Sequence, residues 1–322
     1  MSVTLADIEA AAGRISGVAV ETPLIESPAL NERLGGRVLI KPETLQLGGS
    51  FKLRGAMNRI AQLTDAERKK GVVAFSSGNH AQGVALAART VGTSALIVMP
   101  SDAPTMKIEA TRGYGAEVRF YDRYTEDRAA LARAIAEERG CVVVPSYDDP
   151  HVIAGQGTIG LELVRQAGVP LDYVMTPIGG GGLIGGVGTA VKALSPTTAV
   201  IGVEPTDFDD VLRSLQTRTP QTIDPAARSI CDALQAPSPS DLTLSVMLKV
   251  VADVLLVSDA DIADAVRYAF ATLKLVVEPG GAAALAALLA GKLDLQGKTA
   301  GIVLSGGNVD QALYAAILAG EV

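Results

Sequence analysis

Tyr173-Val174-Met175-Thr176-Pro177-Ile178-Gly179-Gly180-Gly181-Gly182-Leu183-Ile184 reads as a β-strand (173–176), a glycine turn (179–182) and the start of a helix that runs to residue 194. The hydrophobic pattern changes from strand to helix within a few residues, with glycine as the punctuation. Backbone without side chains lets N–H groups come close to an anion, and the helix N-terminus adds positive potential, so the unit suits a phosphate. A tight turn serving only close helix packing is the structural alternative. The entropic cost of four consecutive glycines favours the anion.

Outward from this unit, short β-branched runs alternate with alanine-rich helical stretches. Strands are expected at 38–40, 72–75, 95–98, 142–144, 199–203, 254–257 and 301–304, and helices at 53–63, 81–90, 127–138, 159–166 and 259–273. Such alternation is the mark of βαβ units, so the class is α/β with open, mostly parallel sheets. Ser258 is placed to cap a helix whose first turn carries Asp259 and Asp261 at its positive end. Pro104 and Pro279 are expected to open two further helices. Pro/Ser-rich 236–240 is a loop, not a domain linker, because regular patterning resumes after it.

The 322 residues, 48% of them hydrophobic, suffice for two ordinary domains with real cores. A net charge of −7 without any Lys/Arg block argues against nucleic acid and anionic membrane as partners. The first ten residues carry Asp7 and Glu9 and do not read as a secretory signal, and no apolar run is long enough to span a membrane. Cys141 and Cys231 lack metal-like spacing. They are expected to be small buried residues in a reducing compartment, the cytoplasm.

The chemistry centres on Lys52 in Gly48-Gly49-Ser50-Phe51-Lys52-Leu53-Arg54-Gly55-Ala56. Small and apolar neighbours can hold its ammonium in a partly dry pocket, where desolvation lowers the pKa and frees a nucleophilic amine. Ser76-Ser77-Gly78-Asn79-His80 adds a loop of backbone donors for a carboxylate, and Ser305-Gly306-Gly307-Asn308 adds a hydroxyl for a ring nitrogen. With the glycine cradle these describe a pyridoxal phosphate site. A rival reading remains: Gly180, Gly182 and Gly185 stand at dinucleotide-binding spacing, with Glu204 about 20 residues on for a ribose. A nicotinamide oxidoreductase is therefore open, as is a non-catalytic binding protein on the same fold. The nicotinamide reading leaves Lys52 and the two serine-bearing loops without joint work.

With Glu204-Pro205 and Glu278-Pro279-Gly280-Gly281 added, these motifs occur in an order that resembles the fold-type II pyridoxal phosphate enzymes, in particular the serine/threonine dehydratases and serine racemases. The resemblance runs over almost the whole chain. It implies a tryptophan synthase β-like fold: two open, mostly parallel, twisted sheets flanked by helices. A large cofactor-binding domain would comprise 1–62 and 150–322, a small domain 63–149, and the protein would be a homodimer. Because the sequence runs only a short way past the Ser305 loop, an appended regulatory domain is not expected.

The resemblance also assigns roles. Lys52 would carry pyridoxal 5'-phosphate as a Schiff base with Phe51 beside the ring, and Asn79 would bond the ring hydroxyl. Gly179, Gly180, Gly181 and Gly182 would bind the phosphate, and Ser305 would meet the pyridine nitrogen with Glu278 also at the cofactor. Ser76, Ser77, Gly78, Asn79 and His80 would hold the substrate carboxylate, His80 alternatively doing no more than capping the following helix. The implied activity is elimination of the β-hydroxyl of L-threonine or L-serine to a 2-oxo acid and ammonia. Ser77 stands where racemases keep a second base on the opposite face, so racemisation is the alternative. Ser229-Ile230-Cys231-Asp232-Ala233-Leu234 departs from the Ala-Asp-Gly-Leu pattern common in dehydratases, which keeps 3-hydroxyaspartate open as substrate. Glu204, Asp210 and the carbonyl of Phe208 match a segment that in some relatives holds Mg²⁺ or Ca²⁺, an all-oxygen set suited to a hard cation; a solvated acidic turn is the alternative.

Overall fold

The computed structural model describes residues 3–103, 105–122 and 124–322. Its strands are β1 (Ile25–Glu26), β2 (Arg37–Pro42), β3 (Val72–Phe75), β4 (Ala95–Pro100), β5 (Glu117–Tyr121), β6 (Val142–Val143), β7 (Tyr173–Pro177), β8 (Ala199–Pro205), β9 (Asp253–Val257) and β10 (Thr299–Leu304). Six of them form one sheet in the order β1-β2-β10-β7-β8-β9 and four form another in the order β5-β4-β3-β6. Among these strands only the β1–β2 pair is antiparallel; the other pairs of the described residues' strands are parallel, with registers such as Met175 beside Ile201 and Val303 beside Lys41. Helices join and flank the parallel strands, since parallel neighbours need a crossover connection. The α/β class with two mostly parallel sheets is thus borne out.

Two kinds of helix cover the larger sheet. The helix Pro279–Leu289, opened by Pro279 at its first turn, is apolar on all sides and buried among Val203, Val257, Ile262 and Ile302, as a helix without a polar face must be. On the other side the helices Pro150–Ala167 and Gly182–Leu194 touch backbone to backbone. A Cβ on Gly186 would lie 2.3 Å from the Ile153 carbonyl oxygen, and one on Gly160 2.7 Å from that of Val187. Glycine sets that close approach, which fixes the glycine turn ahead of Gly182 against its neighbours.

Several expectations need correction. Glu117–Tyr121 is an edge strand that the sequence hides, because Glu117 and Arg119 are the outward charges with which edges are protected. The helix expected over 259–273 is α-helical to Tyr268 and ends as a π turn, Ala269–Leu273, closed by Lys274 at φ 60°. Ser258 does cap it, accepting from the Asp261 N–H in a capping box. Cys231 is buried, but Cys141 is only partly so, because it leads into the edge strand β6. Pro104 lies outside the described residues.

Candidate active site

Lys52 is the first residue of the helix Lys52–Ile60, and three backbone contacts decide where it points. Ser50 bridges to Gly306, the Phe51 N–H donates to the Ser305 carbonyl at 3.1 Å, and the Gly307 N–H donates to the Gly49 carbonyl at 2.9 Å. Gly48 and Gly49, at φ 76° and 70°, allow that turn. From the other side the helix Asn79–Val91 closes in: a Cβ on Gly83 would stand 3.0 Å from the Lys52 carbonyl carbon. The Lys52 ammonium donates to the Ser146 carbonyl at 3.1 Å and stands 5.1 Å from the centre of the Phe51 ring. Burial pulls its pKa down to about 8, partly offset by the charge of Glu278. A sizeable share of neutral amine at ordinary pH follows.

Glu278 and Asn79 lie beside it. The Asn79 amide donates to a Glu278 carboxyl oxygen at 2.6 Å and accepts from the Asn308 amide at 2.8 Å. Burial pushes the Glu278 carboxyl up to about 8, with Asp232 adding to the rise and Asn79 opposing it. Ser305 is buried behind them, its N–H bound to the Gly281 carbonyl. His80 lies inside the helix rather than capping it, and its Nε2 is 2.8 Å from the Val144 carbonyl. A carbonyl only accepts, so Nε2 carries the proton. Burial and then the Lys52 charge pull the His80 pKa down to about 3, so the ring is neutral and unsuited to proton transfer near pH 7. Ser76 accepts from the Gly78 N–H at 3.2 Å. The partly exposed Ser77 hydroxyl makes no hydrogen bond among the described residues.

The glycine turn packs on Tyr147, the neighbour of the Ser146 that holds Lys52, and brings no side chains of its own. Gly181 is left-handed at φ 86°, and the helix Gly182–Leu194 starts with no side-chain cap, so its first N–H groups stay open for an anion. The turn is also walled. A Cβ on Gly180 would stand 2.4 Å from the Tyr147 ring, one on Gly181 2.6 Å from Met247, and one on Gly182 2.9 Å from Tyr147; only Gly179 has ordinary room. Tyr147, anchored by its hydroxyl to the Ser238 carbonyl at 3.1 Å, is a wall the sequence reading missed. No periodicity or spacing marks it, because its role exists only against a turn 33 residues on.

The model of a family described as "Pyridoxal-phosphate dependent enzyme" matches residues 15–306. The chain belongs to that family. It is 47% identical to an L-threo-3-hydroxyaspartate ammonia-lyase of Pseudomonas sp over 98% of both chains. It is 40% identical to a catabolic L-threonine dehydratase of Escherichia coli over 96% of this chain and 94% of that one. Among solved structures, maize serine racemase superposes with a TM-score of 0.93 at 36% identity, covering 100% of this chain and 98% of that chain. This is an enzyme of the pyridoxal-phosphate-dependent lyase and racemase group.

The residues present fit the family's cofactor. An amine with a lowered pKa, an uncapped helix start behind a glycine turn and a buried amide–carboxyl pair supply a linking group, an anion cradle and polar contacts for a ring. Glu204, the ribose acceptor of the nicotinamide reading, is turned inward: its two oxygens accept from Val211 and Leu212 N–H groups at 3.1 and 3.0 Å, at the start of the helix Asp210–Thr217. That reading loses its acceptor. Asp210 lies next to Glu204, both buried, and one Asp210 carboxyl oxygen has no partner among the described residues. Phe208 is buried as well. No cluster of three or more His, Cys, Asp or Glu side chains with metal-binding geometry occurs among the described residues. On the departing segment, Asp232 forms an ion pair with Lys107 from the helix Thr105–Gly113, and both charges are felt at Glu278. No helix among the described residues is long and apolar enough to cross a membrane.

Proposed function

We propose that the protein is an ammonia-lyase for L-β-hydroxy-α-amino acids, with L-threo-3-hydroxyaspartate ranked ahead of L-threonine and L-serine. The observation that carries the reading is Lys52: a partly buried amine with a pKa lowered to about 8, one hydrogen bond and a carboxyl neighbour. Bound pyridoxal phosphate supplies an aldehyde for amines and an electron sink that acidifies the substrate α-C–H. In this proposal Lys52 links the cofactor, yields to the substrate amine and then accepts the α-proton at Nζ. Gly179 to Gly182 hold the phosphate and Phe51 lies along the ring. Asn79 donates to the ring oxygen with Glu278 orienting it, and Ser305 presents a neutral hydroxyl to the ring nitrogen. Residues 76–80 hold the α-carboxylate with backbone N–H groups, and the neutral His80 lines that loop. The relative at 47% identity supports the acidic substrate. The cofactor then lies between a small lobe (63–149) and a large one (1–62 and 150–322), in a homodimer of the cytoplasm.

Purified protein is expected to be yellow, and borohydride to fix the cofactor to Lys52. Oxo-acid assays should rank 3-hydroxyaspartate first by kcat/KM. Colourless protein that takes up no pyridoxal phosphate would sink the reading; threonine ranked first would overturn the substrate alone.

We also propose that Asp210, through its unpartnered oxygen, joins Glu204 and the Phe208 carbonyl around Mg²⁺ or Ca²⁺. Millimolar ion should raise the melting temperature through binding to the folded state, and Asp210→Asn should abolish the rise. Equal melting of the parent with ion and with chelator refutes the site.

A further inference from the structure

Asn308 is the one polar side chain of the Ser305 loop to which no role has been given, and its contacts have a direction. Its Nδ2 donates to the Gly48 carbonyl oxygen at 2.7 Å and to Asn79 Oδ1 at 2.8 Å. A backbone carbonyl can only accept, so the first contact fixes which end of the Asn308 amide is the donor. Asn79 must then turn its oxygen towards Asn308 and its nitrogen towards Glu278 Oε1, 2.6 Å away. One Asn79 N–H is spent on Glu278, and the other has no acceptor among the described residues. The chain of contacts starts at a group that cannot reverse and ends at an amide with one donor to spare.

The backbone around this chain has been cleared for it. A Cβ on Gly49 would stand 2.5 Å from Asn308 Oδ1, and Gly49 is itself left-handed at φ 70°. A Cβ on Gly306 would stand 2.2 Å from Glu278 Oε1 and 3.3 Å from Asn79 Nδ2. Both glycines are required for the relay to close. We infer that Asn308 is a positioning residue, which sets the orientation of the Asn79 amide so that its spare N–H is presented as a donor to an anionic ring oxygen of the cofactor. The inference rests on the cofactor reading above and adds the group that enforces it. Without Asn308, the Asn79 amide can turn over, and its oxygen would then face an oxygen.

The test is a double-mutant cycle on holoenzyme whose cofactor is removed and titrated back as pyridoxal 5'-phosphate. Dissociation constant and the pH midpoint of the visible band are read. Asn308→Ala should weaken retention about tenfold, the worth of one hydrogen bond to a charged group, and shift the midpoint. In an Asn79→Ala background the same change should do neither, because Asn308 acts through Asn79. Should Asn308→Ala fold poorly, the isosteric Asn308→Asp enters the same cycle with the same expectation. Losses that add, or Asn308 variants with unchanged affinity and band, overturn the relay alone. A parent that takes up no pyridoxal phosphate overturns the functional reading, and the relay with it.

Discussion

Lys41 and Lys52 stand eleven residues apart, and for both burial lowers the pKa. Lys41 is fully buried and Lys52 partly so, and their hydrogen bonds differ more sharply. Lys41 donates to the Thr22 carbonyl at 2.6 Å and to Gln166 at 2.8 Å, and it pairs with Glu162 at 2.7 Å, so all three N–H groups are spent. Glu162 in turn shares Arg54 with Glu43, a fully buried pair at 2.8 Å, and the four charges bind β2 and the helix Lys52–Ile60 to the helix Pro150–Ala167. Lys52 has one carbonyl and a carboxyl it does not touch. A buried charge whose hydrogen bonds are all made holds structure in place, whereas one with bonds left over is available for chemistry.

Exchanging the two lysines for alanine is the strongest way to break that distinction. Lys41→Ala takes from Glu162 one of its two cations and should cost about 2–3 kcal/mol in denaturant unfolding, while the molecules that remain folded keep the cofactor. Lys52→Ala should cost under about 1 kcal/mol in the cofactor-free protein, since it also removes a desolvated charge, yet lower turnover by about 10³-fold or more. Equal stability losses in the two variants would show that spent and unspent hydrogen bonds are no guide here.

Ser77 sharpens the same point with an unspent hydroxyl. If it returns a proton on the face opposite Lys52, Ser77→Ala should reduce interconversion of L- and D-serine by about 10²–10⁴-fold. Deamination should stay within about tenfold, because α-proton removal from one face suffices for elimination. Chiral chromatography beside an oxo-acid assay reads both; parallel losses would instead make Ser77 a holder of the substrate carboxylate.

The smallest effect concerns Glu278, midway between the two lysines in kind, with one oxygen bound to Asn79 and a pKa raised from 4.5 to about 8. A raised pKa means that the folded protein binds the proton more tightly than the unfolded chain. Its stabilising share is full below pH 4.5 and is lost as the pH climbs to 8. Lys52, lowered from 10.5 to about 8, works in the next window, where stability recovers as the pH rises to 10.5. Cofactor-free Glu278→Gln should therefore lose the decline between pH 4.5 and 8 and gain about 1–3 kcal/mol over the parent at pH 8. A parent melting curve that is flat over that range would contradict the burial of a carboxyl there.

Local sequence determined a good deal of this protein. Period and punctuation placed most strands and helices, Ser258 and Pro279 marked two helix starts, and the strand–glycine–helix unit at 173–194 disclosed an anion cradle, because these depend on residues a few positions apart. The motifs around Lys52, Asn79 and Ser305 named the chemistry as a set. Tertiary structure decided the rest. Glu117–Tyr121 became an edge strand through its neighbour β4, and Glu204 turned from a ribose acceptor into a helix-capping carboxyl. Tyr147 became the wall of the cradle, and His80 became a neutral ring on the Val144 carbonyl. Above all, the sequence offers no way to tell Lys41 from Lys52 by burial: which lysine has its hydrogen bonds filled depends on Thr22, Glu162 and Gln166 in one case and on Ser146 and Glu278 in the other. Partners that far apart in the chain meet only when the sheets and helices have closed around them.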